Sequence, residues 1–233
     1  MKKVLSFLNA LRLAAFPLAY GLSGALIGGT LNRIMIADLG VPASLAALLF
    51  AVPLMVSPLR VWLGYRSDGF PILGKRREPY ILLGALLIGA GILAAAGLTA
   101  GFTRTSPAFV LLGLAAFALY GAGRNLGHNT FQALLSDRFS TQVKTRVITL
   151  FEVATLLGMV MGSGAIGKAL EDYSPQRLMS TALGVALAVL ALAALAALGQ
   201  ERTSSLAQEA ARTARAVPFN QALRLALGDP QVR

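Results

Sequence analysis

The sequence lacks cysteine altogether, has one histidine and carries little charge, since only 13% of its 233 residues are Asp, Glu, Lys or Arg. The absence of cysteine excludes disulfides, thiolate metal sites and cysteine nucleophiles. A single histidine argues against the usual zinc sites. Apolar residues dominate instead, at 56% of the chain, and the mean hydropathy is +0.67. Because soluble domains carry roughly 25% charged residues, this composition excludes a soluble domain.

The apolar residues fall into blocks of about twenty, the length that crosses a hydrocarbon core of ~30 Å. We therefore predict an all-α integral membrane protein. Its six predicted spans cover residues 14–36, 44–63, 80–100, 108–134, 147–170 and 178–198.

The net charge of +11 is distributed unevenly between the two sides of these spans. Most of the Lys and Arg residues lie in the termini and in the loops after the second and fourth spans. By the positive-inside rule, both termini are predicted to be cytoplasmic. No basic stripe is interleaved with aromatic residues, which argues against nucleic acid as a partner.

The chain divides into a six-span transmembrane domain, residues 1–198, and a cytoplasmic linker, residues 199–233. The apolar spacing from Pro218 to Leu227 predicts a short amphipathic helix, with Asn220 as N-cap and Gly228 as stop. We interpret this linker as leading towards an absent second half.

Small residues recur in the first and fifth spans, where they allow helices in lipid to approach closely. We predict that Gly24, Gly28, Gly158 and Gly162 pack helices against each other. The alternative interpretation is a flexible hinge or a slot for a flat ligand.

The fourth span ends in an unusually polar stretch that contains Arg124, Asn125, His128 and Gln132. Ionisable residues at such depth are costly and face protein or water rather than lipid. We predict a buried Arg124–Glu152 ion pair, bridged by His128, that fastens the fourth span to the fifth. Two alternatives stay open: a substrate or proton site, and a pigment site in which the neutral imidazole ligates the magnesium of a chlorin.

The loop between the second and third spans resembles the motif of the major facilitator superfamily at this place. The matching residues are Gly64, Asp68, Gly74, Lys75 and Arg76, and we include the following Arg77 in the predicted gate. Gly69 stands where that motif has a basic residue, and a few extra residues precede Gly74. The resemblance implies a cytoplasmic gate; the alternative is a charged loop that only fixes topology.

Several further stretches are similar to the PucC/LhaA family, facilitator-type membrane proteins that assist assembly of bacterial light-harvesting antennae. They are residues 30–42, 53–60, 64–68, 74–81, 120–123 and 226–231, with Asp137. The resemblance implies twelve spans in two halves, of which this chain is the six-helix N-terminal half. A six-span protein acting as a homodimer is the alternative.

From this resemblance we expect an assembly factor, not an enzyme, in the bacterial inner (cytoplasmic or intracytoplasmic photosynthetic) membrane. It would hold or deliver bacteriochlorophyll or chlorophyll, or chaperone antenna polypeptides. The expected partners are antenna polypeptides, the reaction-centre complex, pigment-synthesis enzymes and membrane lipid. The alternative function is a transporter of a small amphiphile or ion, for which Glu152 is the one acid inside a span. A pigment-synthesis enzyme would need clustered aspartates for magnesium diphosphate, and the sequence shows none.

Overall fold

A computed structural model describes residues 2–139, 141–201 and 219, with side chains for residue 9, residues 11–139 and 145–201, and residue 219. The described residues are helical without strands and include six helices long and apolar enough to cross a membrane. The predicted all-α, six-span fold is therefore confirmed. The amphipathic helix predicted from Pro218 to Leu227 lies outside the described residues, apart from Phe219.

Two of the six spans are interrupted helices. The first comprises the helix Lys2–Gly24 and the π-helical segments Ala25–Leu31 and Ile34–Asp38. The second comprises Ala43–Met55 and Leu59–Gly69, separated by a turn at residues 56–58. The other four are continuous: Glu78–Ala100, Pro107–Arg138, Thr141–Ala169 and Pro175–Ala197.

The π-helical segment corrects one prediction about the first span. Gly28 lies in this segment with its surface exposed, and an added Cβ would meet nothing within 4 Å. A π-helix has a wider turn than an α-helix, so Gly28 no longer lies on the helix face that continues from Gly21 and Gly24. Gly28 therefore packs against no other helix in the described part of the chain.

The spans pack as a bundle in which the first and third hold central positions. The first span packs against the fifth and sixth, the third against the fourth and sixth, and the second against the fourth. At the crossing of the third and fourth spans, a Cβ on Gly84 would lie 2.6 Å from the backbone nitrogen of Gly127. A Cβ on Gly91 would lie 2.6 Å from Cα of Tyr120. The backbones of the third and fourth spans meet this closely only because Gly84 and Gly91 have no side chains.

The second and fifth spans form the least covered part of the bundle. Only 17% and 22% of their most apolar windows are buried, against 56% in the first span. Most exposed side chains on these spans are large and apolar, but Arg60 and Glu152 are exposed there too. Because a charge is costly against lipid, we expect the parts of the second and fifth spans that carry these two residues to face protein or water.

Candidate functional sites: a charge clamp and a mid-span polar cluster

Arg77 joins three spans at one end of the bundle. It lies just before the third span, is 5% exposed, and pairs with Asp68 near the end of the second span. Its Nε donates to Asp137 Oδ2 at 3.0 Å, near the end of the fourth span. Its Nη1 also donates to Ser67 Oγ at 3.4 Å. One planar guanidinium group with five donors can satisfy two carboxylates and a hydroxyl at once.

Glu201, which follows the sixth span, caps the beginning of the third. Its carboxylate accepts hydrogen bonds from the backbone N–H groups of Arg76, Arg77 and Glu78, at 3.3, 2.7 and 2.9 Å. In return the carboxylate of Glu78 accepts from the backbone N–H of Glu201. A helix begins with N–H groups that lack partners and with a positive dipole end. The two glutamates thus build a reciprocal cap between positions 123 residues apart.

Hydrogen bonds of the Gln200 side chain connect the reciprocal cap to the first and fourth spans. The Gln200 side chain accepts from Arg138 and donates to Asn9 Oδ1 at 3.3 Å. Gly199 precedes it with φ +72°, a left-handed conformation that glycine adopts without strain. We call Asp68, Arg77, Asp137, Glu78 and Glu201 together the charge clamp.

The structure brings together only part of the predicted loop motif. Asp68, Arg76 and Arg77 are in contact, with Arg76 Nη2 at 3.6 Å from Asp68 Oδ1. Lys75 pairs with Glu78 instead. Gly74 has φ +75° in the turn before the third span, and Gly64 lies against the Asn129 amide. Sequence reasoning did not assign Glu78 or Glu201 to this site, because no local spacing connects acids so far apart.

We expect Glu201→Gln to weaken the cap on the third span. A neutral amide loses the charge–dipole attraction and accepts fewer hydrogen bonds, so stability should fall by about 1 kcal/mol. Hydrogen exchange at the amides of residues 76–78 in detergent-solubilised protein measures the effect, and these amides should exchange faster. Glu171→Gln is the matched control, because Glu171 is exposed and makes no ion pair in the described structure. Equal exchange rates of the amides of residues 76–78 in the two variants would contradict the cap by Glu201.

Arg124 lies at the middle of the fourth span and bonds to neutral groups. Its Nη1 donates to Tyr120 Oη at 2.9 Å, to Ser23 Oγ at 3.3 Å and to the backbone oxygen of Tyr20 at 3.3 Å. The guanidinium carbon lies 3.6 Å from the centroid of the Tyr20 ring, a cation–π contact. Gly24 makes room for this group, because a Cβ there would lie 3.2 Å from Arg124 Nη1.

The predicted Arg124–Glu152 ion pair is wrong. Glu152 is exposed, and no ion pair within the described residues includes it. The reason is the position of Glu152 on its helix. Phe151 and Gly158 share the buried face, and Glu152 lies about 100° away from Phe151 around the helix.

His128 lies between two aromatic rings, with centroids 5.1 Å from Tyr20 and 5.2 Å from Phe151. Its Nε2 lies 3.1 Å from Gln132 Nε2. Asn125 Oδ1 accepts from Arg60 Nη2 at 3.3 Å, and Asn129 Nδ2 donates to the Arg60 backbone oxygen at 3.0 Å. We call Tyr20, Arg60, Arg124, Asn125, His128 and Gln132 the mid-span cluster.

In the described structure, Gln132 lies where a chlorin magnesium would approach Nε2 of His128. An axial ligand needs an imidazole nitrogen with open space in front of it for the macrocycle. Here both ring faces are covered, and Nε2 is held by Gln132. The neighbouring apolar cleft, lined by Leu13, Pro17, Phe131 and Phe151 among others, measures about 70 Å³. A cavity of about 150 Å³ holds benzene, so this cleft by itself is too small to enclose a macrocycle.

The fold and these contacts define a multi-pass helical membrane protein whose spans are joined by ion pairs at one end. The chain belongs to the PucC family, since the family model described as "PUCC protein" matches residues 30–233.

Curated relatives agree with this assignment. Over 228 residues the chain is 35% identical to "Protein PucC" of Rhodobacter capsulatus, an alignment that covers 94% of this chain and 50% of the relative. It is 33% identical over 192 residues to "Protein PucC" of Cereibacter sphaeroides, which covers 78% and 41%. It is 29% identical over 198 residues to "Bacteriochlorophyll synthase 44.5 kDa chain" of Rhodobacter capsulatus, which covers 85% and 45%. The chain thus spans about half the length of the curated relatives it matches, and no solved structure matches it.

Proposed function

We propose that the chain forms one half of an assembly factor for light-harvesting antennae. The observation that carries this proposal is membership of the PucC family over residues 30–233. We place the protein in the bacterial inner membrane with both termini cytoplasmic, on the basis of the basic residues concentrated on one side. The charge clamp then lies at the cytoplasmic end of the spans.

A second lobe of the major facilitator type would cover the parts of the second and fifth spans that carry Arg60 and Glu152, and would leave the rest of the exposed surface free. These two spans are the least buried, and lipid would not accommodate Arg60 and Glu152. In this arrangement the charge clamp holds the spans together at one end of this half. A gate against the second half would form at that end.

Antenna polypeptides are the partners that the remaining surface suits best. Gly158 and Gly162 pack against the first span, through Leu18 and Leu22. Gly164 and Gly167 of the fifth span and Gly28 and Gly29 of the first have nothing within 4 Å of an added Cβ. Such small-residue surfaces let the backbone of a single-span helix come close. Bacteriochlorophyll or chlorophyll would be carried with that helix at the outer surface, because Gln132 lies at Nε2 of the one histidine in the mid-span cluster.

The role is proposed to be non-enzymatic, with the reaction-centre complex and pigment-synthesis enzymes as neighbours that supply or receive components. Deleting the chromosomal gene for the full-length protein in its antenna-forming host tests this. The near-infrared absorbance of assembled antenna per cell should fall severalfold, while extracted pigment-synthesis intermediates should not accumulate. Accumulation of one intermediate, with antenna polypeptides still inserted, would instead indicate an enzyme.

Exposure of Glu152 inside the fifth span favours a second candidate, a coupled transporter of a small amphiphile or ion. We expect Glu152→Gln in the complemented strain to leave antenna absorbance within about twofold of the wild type, because the glutamate stabilises nothing in the described lobe. Glu171→Gln is again the control. A collapse of antenna absorbance in Glu152→Gln alone would favour coupled transport, in which this carboxylate carries the proton.

A further inference from the structure

Two arginines of the mid-span cluster, Arg60 and Arg124, make no ion pair with an acid in the described part of the chain. Arg60 donates to Asn125, the residue that follows Arg124 on the fourth span, so both arginines belong to one cluster. A pair of cations inside apolar spans is costly without negative charge nearby. The cluster therefore concentrates positive charge at the depth of Arg124, about 20 Å along the helix from Arg138.

Both guanidinium groups keep donors for an additional acceptor. Arg124 uses only Nη1 for its three hydrogen bonds, and Arg60 makes one, from Nη2 to Asn125. All three of these Arg124 hydrogen bonds leave from Nη1, and the guanidinium lies over the Tyr20 ring. Planar guanidinium groups prefer to bind carboxylate and phosphate through such parallel donors.

The surroundings of Arg60 select the rest of the ligand. Arg60 is exposed, and its neighbours Leu59 and Val61 expose 41% and 54% of their surfaces. A molecule that brings its acidic group to Arg60 also contacts this apolar surface, so its body must be a hydrocarbon. An inorganic anion would gain nothing from it.

We propose that the mid-span cluster binds the carboxylate or phosphate group of an anionic amphiphile, held by Arg60 and Arg124. The Tyr120 and Ser23 hydroxyls hold Arg124 Nη1 and so orient the guanidinium. This site goes beyond antenna assembly and does not depend on it, since binding is measured on the purified protein.

Native mass spectrometry of the full chain in dodecyl maltoside tests the proposal. Dioleoyl phosphatidylglycerol and oleate supply the two acidic groups, and dioleoyl phosphatidylcholine supplies matched chains with a neutral headgroup. We expect about one anionic molecule to be retained per protein, about tenfold more tightly than phosphatidylcholine. Arg60→Gln, at an exposed position, should weaken retention about tenfold, the loss expected for one charge-assisted contact. Arg124→Gln should do the same, with folding checked by size exclusion.

Arg104→Gln is the matched control, because it removes an exposed arginine outside the cluster and should leave retention unchanged. Equal retention of phosphatidylglycerol and phosphatidylcholine would overturn the proposal. So would unchanged retention in folded Arg60→Gln. If an equal concentration of inorganic phosphate displaced oleate, the cluster would be a site for free anions. The proposal that it binds an amphiphile would then be overturned.

Discussion

Gly158→Leu and Gly21→Leu are each expected to prevent the first and fifth spans from packing. A Cβ on Gly158 would collide with the backbone oxygen of Leu18, and one on Gly21 with the backbone oxygen of Thr155. Backbone atoms cannot rotate away as a side chain can, so the two helices must separate. Overpacking of this kind costs about 3 kcal/mol or more, which corresponds to a fall in the melting temperature of about 10 °C. Fluorescence-detected size exclusion after stepwise heating measures the melting temperature.

The same two spans supply matched controls for these glycine variants. An added Cβ on Gly28 or Gly164 meets nothing within 4 Å, so Gly28→Ala and Gly164→Ala should melt close to the wild type. Gly158→Ala should be intermediate, because one methyl group demands a smaller separation than leucine. If Gly158→Ala and Gly164→Ala melted alike, the close approach of the first and fifth spans would be refuted.

Arg77→Met is expected to loosen the end of the bundle that the charge clamp holds. The substitution leaves Asp68 and Asp137 close together without their shared cation, and it leaves Ser67 without a donor. Losing one partner of a buried pair costs about 3–5 kcal/mol. The two aspartate side chains are 44% and 53% exposed, so solvent screening reduces the expected loss to about 1–3 kcal/mol. Thermal unfolding in detergent measures this loss of stability. Protease sensitivity of the 70–76 loop reports whether this end of the bundle has loosened.

Arg77→Lys distinguishes the geometry of the clamp from its charge. A single ammonium group cannot serve both aspartates as the planar guanidinium does, so we expect a partial loss. The triple variant Arg77→Met, Asp68→Asn, Asp137→Asn should recover part of the stability, because it removes the repulsion. Arg146→Met is the control, since Arg146 is exposed and outside every ion pair within the described ranges. A loss in Arg146→Met equal to that in Arg77→Met would mean that only net charge matters.

The class of fold followed from composition and block length, which are local properties. Each apolar block is long enough to cross a bilayer by itself, and every backbone group in a spanning helix is satisfied within that helix. The six spans were therefore predictable to within a few residues, apart from the beginning of the first helix at Lys2 and the end of the second span. The second span continues as a helix to Gly69, through residues for which the motif predicts a loop.

The mid-span cluster shows which contacts the local sequence pattern predicts and which it does not. The spacing of Arg124, His128 and Gln132 correctly predicts one helix face, and His128 does lie against Gln132. The partner of Arg124 could not be predicted in the same way. It depends on the rotation of the first and fifth helices about their own axes, and these rotations place Tyr20 beside the guanidinium and turn Glu152 outwards.

The sequence by itself determined that this chain is a six-span membrane protein, because hydrophobic length acts span by span. It also determined the resemblance to the PucC family, because motif residues can be compared without coordinates. Only the tertiary structure decided which glycines touch another backbone, which acids share Arg77, and how Glu201 reaches the third span. Many of those contacts join distant residues, such as Glu201 and Glu78, which are 123 positions apart. Their distances depend on helix rotation and crossing, which no local spacing encodes.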